Sequence, residues 1–144
     1  MLYEKTDIRD NKTVFDTNLW ISYFITGKLT ELVDMILNKR VILYRSDELT
    51  QELREVMLRP KIKRYFPLNI DQYLALYERI TIYCKTEAKF KNCTDAKDNF
   101  LFDLAYQSHS NFLVSGDKKV LQTPVKKSLK VLNLSDYKSM IGIK

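Results

Sequence analysis

Cysteine, histidine, glycine and proline are all scarce in this sequence. Two cysteines, Cys84 and Cys93, stand among 144 residues. That number excludes a disulfide framework and a zinc quartet, and the expectation is buried or idle thiols in a reducing compartment. The single histidine, His109, adds no zinc alternative. Only three glycines and three prolines are present, which predicts regular elements joined by short loops. No apolar run approaches the roughly 20 residues that a membrane span needs. The polar start, Met1 to Lys12, lacks the apolar region of a signal peptide. A cytoplasmic protein is the expectation.

Hydrophobic residues make up 45% of the chain and charged residues 29%, the balance of a globular protein. A chain of this length can bury roughly 70% of the surface its unfolded form exposes, enough for a core without staples. No repeat or low-complexity linker divides it. Residues 1–144 are therefore expected to form a single domain, with residues 1–11 as a polar leader. The net charge of +6 permits a polyanionic partner without demanding one.

Hydrophobic periodicity lays out the elements. A short β-prone run, Val14-Phe15, ends at Asp16. A helical pattern follows from Leu19, with Ile21, Phe24 and Ile25 on one face and Gly27 as its stop. Leu29 to Leu37 repeats the pattern, with Leu32, Val33, Ile36 and Leu37 on one side. Val41 to Tyr44 is continuously apolar, as a strand covered on both faces would be. Ser46 is the expected cap of the next helix, Asp47 and Glu48 favour its first turn, and Arg59-Pro60 ends it near Leu58. Leu49, Leu53, Val56 and Met57 form its core face. Ile70 to Ile80 reads as a helix, with a strand beginning at Ile80 to Tyr83. Asp98 to Gln107 reads as a helix with Phe102, Ala105 and Tyr106 inward. Phe112 to Val114 and Lys130 to Leu134 read as strands, and Ser135 as the cap of a closing helix. Strands alternating with helices predict a parallel sheet covered on both faces.

In such sheets ligands bind beyond the carboxyl ends of the strands. Asp16 and Asp117 fall at two of those ends. Asp98 opens the helix leading into the second of these strands, and Glu52 lies two turns into the helix after the Val41 strand. In a parallel sheet all four can converge on one edge. Four clustered carboxylates would repel one another and raise their own pKa values. A hard divalent cation removes that conflict, and oxygen-only ligands suit Mg²⁺ or Mn²⁺ better than zinc. Each acid also has an ordinary structural role open to it: a cap for Asp16 or Asp98, a solvated helix position for Glu52, a Gly-Asp turn for Asp117.

Together these residues resemble a known family. Asp16-Thr17-Asn18 after an apolar strand is similar to the opening motif of PIN domains. Ser46 to Lys61, with Glu52 mid-helix and Arg59-Pro60-Lys61 at the end, resembles the second motif of PIN toxins from toxin–antitoxin systems. Asp95 to Asn99 before a helix is similar to the third, and Ser115-Gly116-Asp117-Lys118 to the strand-end segment. Val131 to Tyr137 resembles the closing strand and helix start. The resemblance runs from about Thr13 to the C-terminus. Lys118-Lys119 departs from the pair the family often has after its Gly-Asp, and residues 1–11 have no counterpart.

The resemblance implies a three-layer α/β/α sandwich around a mainly parallel sheet of about five strands. It implies an endoribonuclease that hydrolyses RNA phosphodiester bonds and leaves a 5′-phosphate. Asp16, Glu52, Asp98 and Asp117 would hold one or two Mg²⁺ or Mn²⁺ ions, with Asp98 favoured over Asp95. Thr17, Asn18 and Ser115 would orient those ligands or water. Lys118 and Lys119, and Lys61 less directly, are the candidate phosphate contacts. The expected partners are RNA, a cognate antitoxin and a second copy in a homodimer. The alternative within the family is a catalytically silent scaffold that binds RNA or a protein. Phosphoryl-transfer folds fit poorly: receivers need an early acidic pair and haloacid-dehalogenase-type phosphatases need Asp-x-Asp, and Asp16-Thr17-Asn18 is neither.

Overall fold

The computed structural model describes residues 9–143. Most of the expected leader, residues 1–8, lies outside the described residues, and the first strand starts at Asn11, within the segment read as leader. Five strands are present among them: β1 (Asn11–Phe15), β2 (Val41–Arg45), β3 (Thr81–Tyr83), β4 (Phe112–Val114) and β5 (Lys130–Leu132). They form one sheet in the order β3-β2-β1-β4-β5, and every neighbouring pair is parallel. The helices are α1 (Thr17–Thr26), α2 (Leu29–Asn38), α3 (Asp47–Leu58), α4 (Pro60–Lys63), α5 (Ile70–Ile80), α6 (Asn99–Gln107), α7 (Lys118–Leu121) and α8 (Leu134–Met140).

Strand alternation divides the core between the two faces. Phe15, Phe112 and Val114 join Trp20, Phe24, Leu53, Tyr77 and Tyr137 on one side. Val14 and Leu113 join Leu49, Leu101, Phe102, Leu104 and Ala105 on the other. The result is the expected α/β/α sandwich. The first face is rich in aromatic rings. Trp20 meets Tyr77 edge-on at 4.9 Å between ring centroids, and Phe15 meets Tyr137 the same way at 5.9 Å. The Tyr137 hydroxyl shares a 2.9 Å hydrogen bond with Thr13, so the closing helix is pinned to the central strand.

Local signals set most boundaries. The Gly27 N–H closes α1 from the left-handed region, at φ 69°. Ser46 accepts from Leu49 N and starts α3, whose buried residues are Leu49, Leu53, Val56 and Met57, as the sequence predicts. Four expectations are corrected. The buried side of α2 is Leu32 and Met35, with Val33 and Leu37 exposed, because that helix carries more apolar residues than one face can bury. Ile25 on α1 is exposed as well. The last strand stops at Leu132, and Asn133, not Ser135, caps α8 by accepting from Asp136 N.

The sheet order reverses at its centre. From β1 the chain moves outward through β2 and β3, then returns to place β4 on the other side of β1. The carboxyl ends of β1 and β4 therefore flank the crevice where doubly wound sheets bind their ligands. No helix among the described residues is long and apolar enough to cross a membrane.

Candidate active site

Asp16 is the first residue beyond β1, and its backbone N–H donates to Val114 O on β4 at 3.1 Å. Its carboxylate also serves the fold, since Oδ1 accepts from Leu19 N at 2.8 Å and caps α1. Ser115 and the backbone of Gly116 lie close enough to favour the charged form of the same side chain. Burial raises the Asp16 pKa, the polar groups of Ser115, Leu19 and Gly116 oppose the rise, and the charge of Asp117 adds to it. The capping role and a ligand role are compatible, because a carboxylate offers about four lone-pair positions.

Glu52 stands on α3, and its Oε2 accepts a hydrogen bond from the Thr17 hydroxyl at the start of α1. That contact spans 35 residues and aims the Glu52 carboxylate back toward the end of β1. Glu48, one turn earlier, instead accepts from Thr86 at 3.3 Å and does not line the cleft. Asp117 follows β4 and caps α7, accepting from Lys119 N at 2.9 Å. Its own N–H donates to Ser115 Oγ at 3.0 Å. Ser115 is fully buried and touches both strand-end acids.

Asp98 differs from the other three. It ends a 3-10 turn, Ala96–Asp98, and occupies the cap position of α6, yet its side chain makes no capping hydrogen bond. It is 9% exposed, and its Oδ2 is buried without a partner. Burial pushes its pKa up to about 6, with the charges of Asp95, Asp117 and Glu52 adding to the rise and Lys97 opposing it. Asp95, the competing acid, is occupied locally: it accepts from Lys97 N and pairs with the Lys97 ammonium at 3.7 Å.

Asp16, Glu52, Asp98 and Asp117 line one cleft of about 130 Å³, together with Thr17, Asn18, Val56, Arg59, Lys97, Leu101 and Val120. Among the described residues no three acidic, histidine or cysteine side chains converge tightly enough to grip one ion unaided. The four acids face the cleft from its walls. Asn18 lines it and is exposed. Lys118 and Lys119 are exposed at the start of α7, beside Asp117 but outside the cleft lining, and Lys61 is exposed on α4, also outside it. Sequence reading missed Arg59 and Lys97 as cleft residues. The spacing of Arg59, seven residues and so about two helical turns beyond Glu52, was the available signal.

The cleft therefore combines acceptor-only groups, one of them an orphaned buried oxygen, with two cations on its rim. Oxygen donors of this kind fit a hard divalent ion such as Mg²⁺ or Mn²⁺. Mg²⁺ keeps several of its waters and needs only one or two direct carboxylates, so walls that stand apart are compatible with it.

The chain is similar to known proteins along most of its length. The family model described as PIN domain matches residues 12–119. An uncharacterized protein of Methanocaldococcus jannaschii is 27% identical over 136 residues, covering 91% of this chain and 87% of that one. Among solved structures, VapBC2 from Rickettsia felis, bound to a DNA fragment from its promoter, superposes with a TM-score of 0.55. It is 15% identical and covers 85% of this chain and 98% of that one. The PIN domain endonuclease Utp24 superposes with a TM-score of 0.51, 20% identical, over 85% of this chain and 84% of its own. Identities this low establish a shared fold.

Proposed function

The chain belongs to the PIN domain family, and from that premise we propose that it is a divalent-metal-dependent endoribonuclease. One observation carries the reading: four carboxylates from separate elements line a single cleft at the sheet's reversal point, and Asp98 Oδ2 is buried there without a partner. A buried carboxylate oxygen without a partner is costly, and a ligand in the cleft would complete it.

Asp16, Glu52, Asp98 and Asp117 would hold one or two Mg²⁺ or Mn²⁺ ions. When bound, such an ion lowers the pKa of a water and stabilises charge on the scissile phosphate. The protein's own groups do the rest. Ser115 holds the Asp117 backbone and lies beside the Asp16 carboxylate, placed to help orient the two strand-end acids. Thr17, next to Asp16, fixes Glu52. Arg59 and Lys97 face the cleft, placed to neutralise the phosphate as negative charge builds up during hydrolysis. Water adds to phosphorus, the bond to the ribose 3′-oxygen breaks, and a 5′-phosphate remains.

The resemblance to PIN toxins and the superposition on VapBC2 support a role as the toxin of a toxin–antitoxin pair. The superposition on an endonuclease supports a cutting role in general. A second reading, a scaffold that binds RNA without cutting, draws on the spread of the carboxylates around the cleft.

Cleavage of a panel of labelled RNAs in Mg²⁺, Mn²⁺ or EDTA, with wild type beside Asp98→Asn, separates the two. Metal-dependent cutting with 5′-phosphate ends, abolished by the substitution, supports the nuclease. RNA binding without cutting, in folded protein free of partner, supports the scaffold. Equal cutting by both proteins removes Asp98 from the mechanism.

A further inference from the structure

A second hollow, of about 440 Å³, lies beside the C-terminal half of α6. Its lining includes Phe90, Tyr106, Pro124 and Val125 as apolar surface, with Asn92 and Asp103 as polar groups. Lys89 and Lys126, both exposed, border it. Nothing in the catalytic reading uses it.

The hollow is built by specific hydrogen bonds. Asp103, almost wholly buried, accepts from Lys89 N at 3.0 Å and Phe90 N at 2.8 Å through the same oxygen. Gln107 bonds Glu87 at both its N–H and its carbonyl, at 2.9 and 2.7 Å. These contacts tie one wall to α6. The other wall is tied by Tyr106, whose hydroxyl accepts from Lys126 N at 3.0 Å. Two loops are thus held apart with an apolar slot between them, formed before any ligand arrives. Phe90 is half-buried and stacks on Phe102 at 4.5 Å, with planes 14° apart. It is the outer member of an aromatic stack that borders the slot.

We propose that this hollow takes one unpaired base of the single-stranded RNA that the catalytic cleft cuts. The inference rests on the ribonuclease reading of that cleft. Every base has a π-face, so a ring such as Phe90 holds one without demanding a sequence. The Asn92 amide and the Asp103 carboxylate supply acceptors and a donor for a base edge. Lys89 and Lys126 meet the flanking phosphates. Lys89 also pairs with Glu87, but at 3.9 Å and well exposed on both sides, a pairing that a phosphate displaces easily. The position fits as well. Asp98 in the cleft and Tyr106 at the hollow are eight residues apart along α6, about 12 Å at 1.5 Å per residue. A stacked strand advances about 3.4 Å per nucleotide, so the base lies within about four nucleotides of the scissile phosphate.

The test is a scan of one RNA with a single abasic nucleotide or a single 2-aminopurine moved along it. Cleavage by wild type is expected to show one position, within about four nucleotides of the cut, where the abasic substitution raises KM on the order of 10-fold, the ordinary weight of a stacked base. With cleavage blocked by Asp98→Asn, 2-aminopurine is expected to be quenched at that same position. Val125→Glu, which puts a carboxylate into the slot, is expected to raise KM similarly for intact RNA and to make the abasic position indifferent. If RNA is cut but every abasic position behaves alike and no 2-aminopurine is quenched, the hollow holds no base and the ribonuclease reading stands. If wild type neither binds nor cuts RNA, both fall. The scans on the unaltered hollow decide the matter even if Val125→Glu fails to fold.

Discussion

Replacing Asp98 by Asn is expected to stabilise the metal-free protein. Burial and the charges of Asp95, Asp117 and Glu52 push the Asp98 pKa from 3.8 up to about 6. Below about pH 4 the carboxyl is protonated in both folded and unfolded chains and contributes no difference. Between about pH 4 and 6 the unfolded chain releases its proton while the folded chain retains it, so stability falls as pH rises. Above about pH 6 the penalty is constant. A shift of about two pH units corresponds to about 3 kcal/mol, and solvent in the open cleft screens this to about 1–2 kcal/mol. For a domain of this size that is a rise in Tm of about 3–6 °C. Thermal melts in EDTA at pH 7.5 should show that gain in Asp98→Asn, shrinking toward zero near pH 4. Added Mg²⁺ should reverse the order, because binding stabilises only the form with an intact site. A loss of stability in EDTA at pH 7.5 would mean that the carboxylate has a structural partner. A gain that does not vary with pH would mean that charge is not its cause.

Two further outcomes are expected. Ser115→Ala should weaken Mg²⁺ or Mn²⁺ binding by about 10- to 100-fold, the usual cost of losing a group that orients ligands, and calorimetric titration measures it; an unchanged affinity would remove Ser115 from the site. Ser46→Ala should cost about 1 kcal/mol of stability by exposing the first turn of α3, as urea denaturation would record, while leaving metal affinity in the intact fold unchanged.

Much of the sandwich follows from short-range rules. Ser46, Gly27 and the Arg59-Pro60 step act on their own neighbours, so the end of α1 and both limits of α3 could be read before any contact was known. The parallel order of strands follows from their alternation with helices. Errors arose where local signals were degenerate. Ser135 and Asn133 are both competent caps, and the choice fell to Asn133 because helical turns begin at Leu134. Val33 and Leu37 look like core residues in an apolar helix, and only the placement of α2 against the sheet turns Met35 inward instead. The four acids could be proposed from motif order and strand ends. The contacts that orient them could not, because Thr17 reaches Glu52 across 35 residues and Ser115, just beyond β4, lies beside Asp16 at the end of another strand. The orphaned oxygen of Asp98 and the presence of Arg59 and Lys97 in the cleft are likewise products of the assembled fold.

The most direct test of the central claim is Mn²⁺ titration followed by electron paramagnetic resonance, with wild type beside Asp98→Asn and Asp16→Asn. Wild type is expected to bind one or two ions per chain, with affinity at least about 10-fold weaker in each variant. Equal binding by all three proteins, or none by folded wild type, would contradict a metal centre built on these carboxylates.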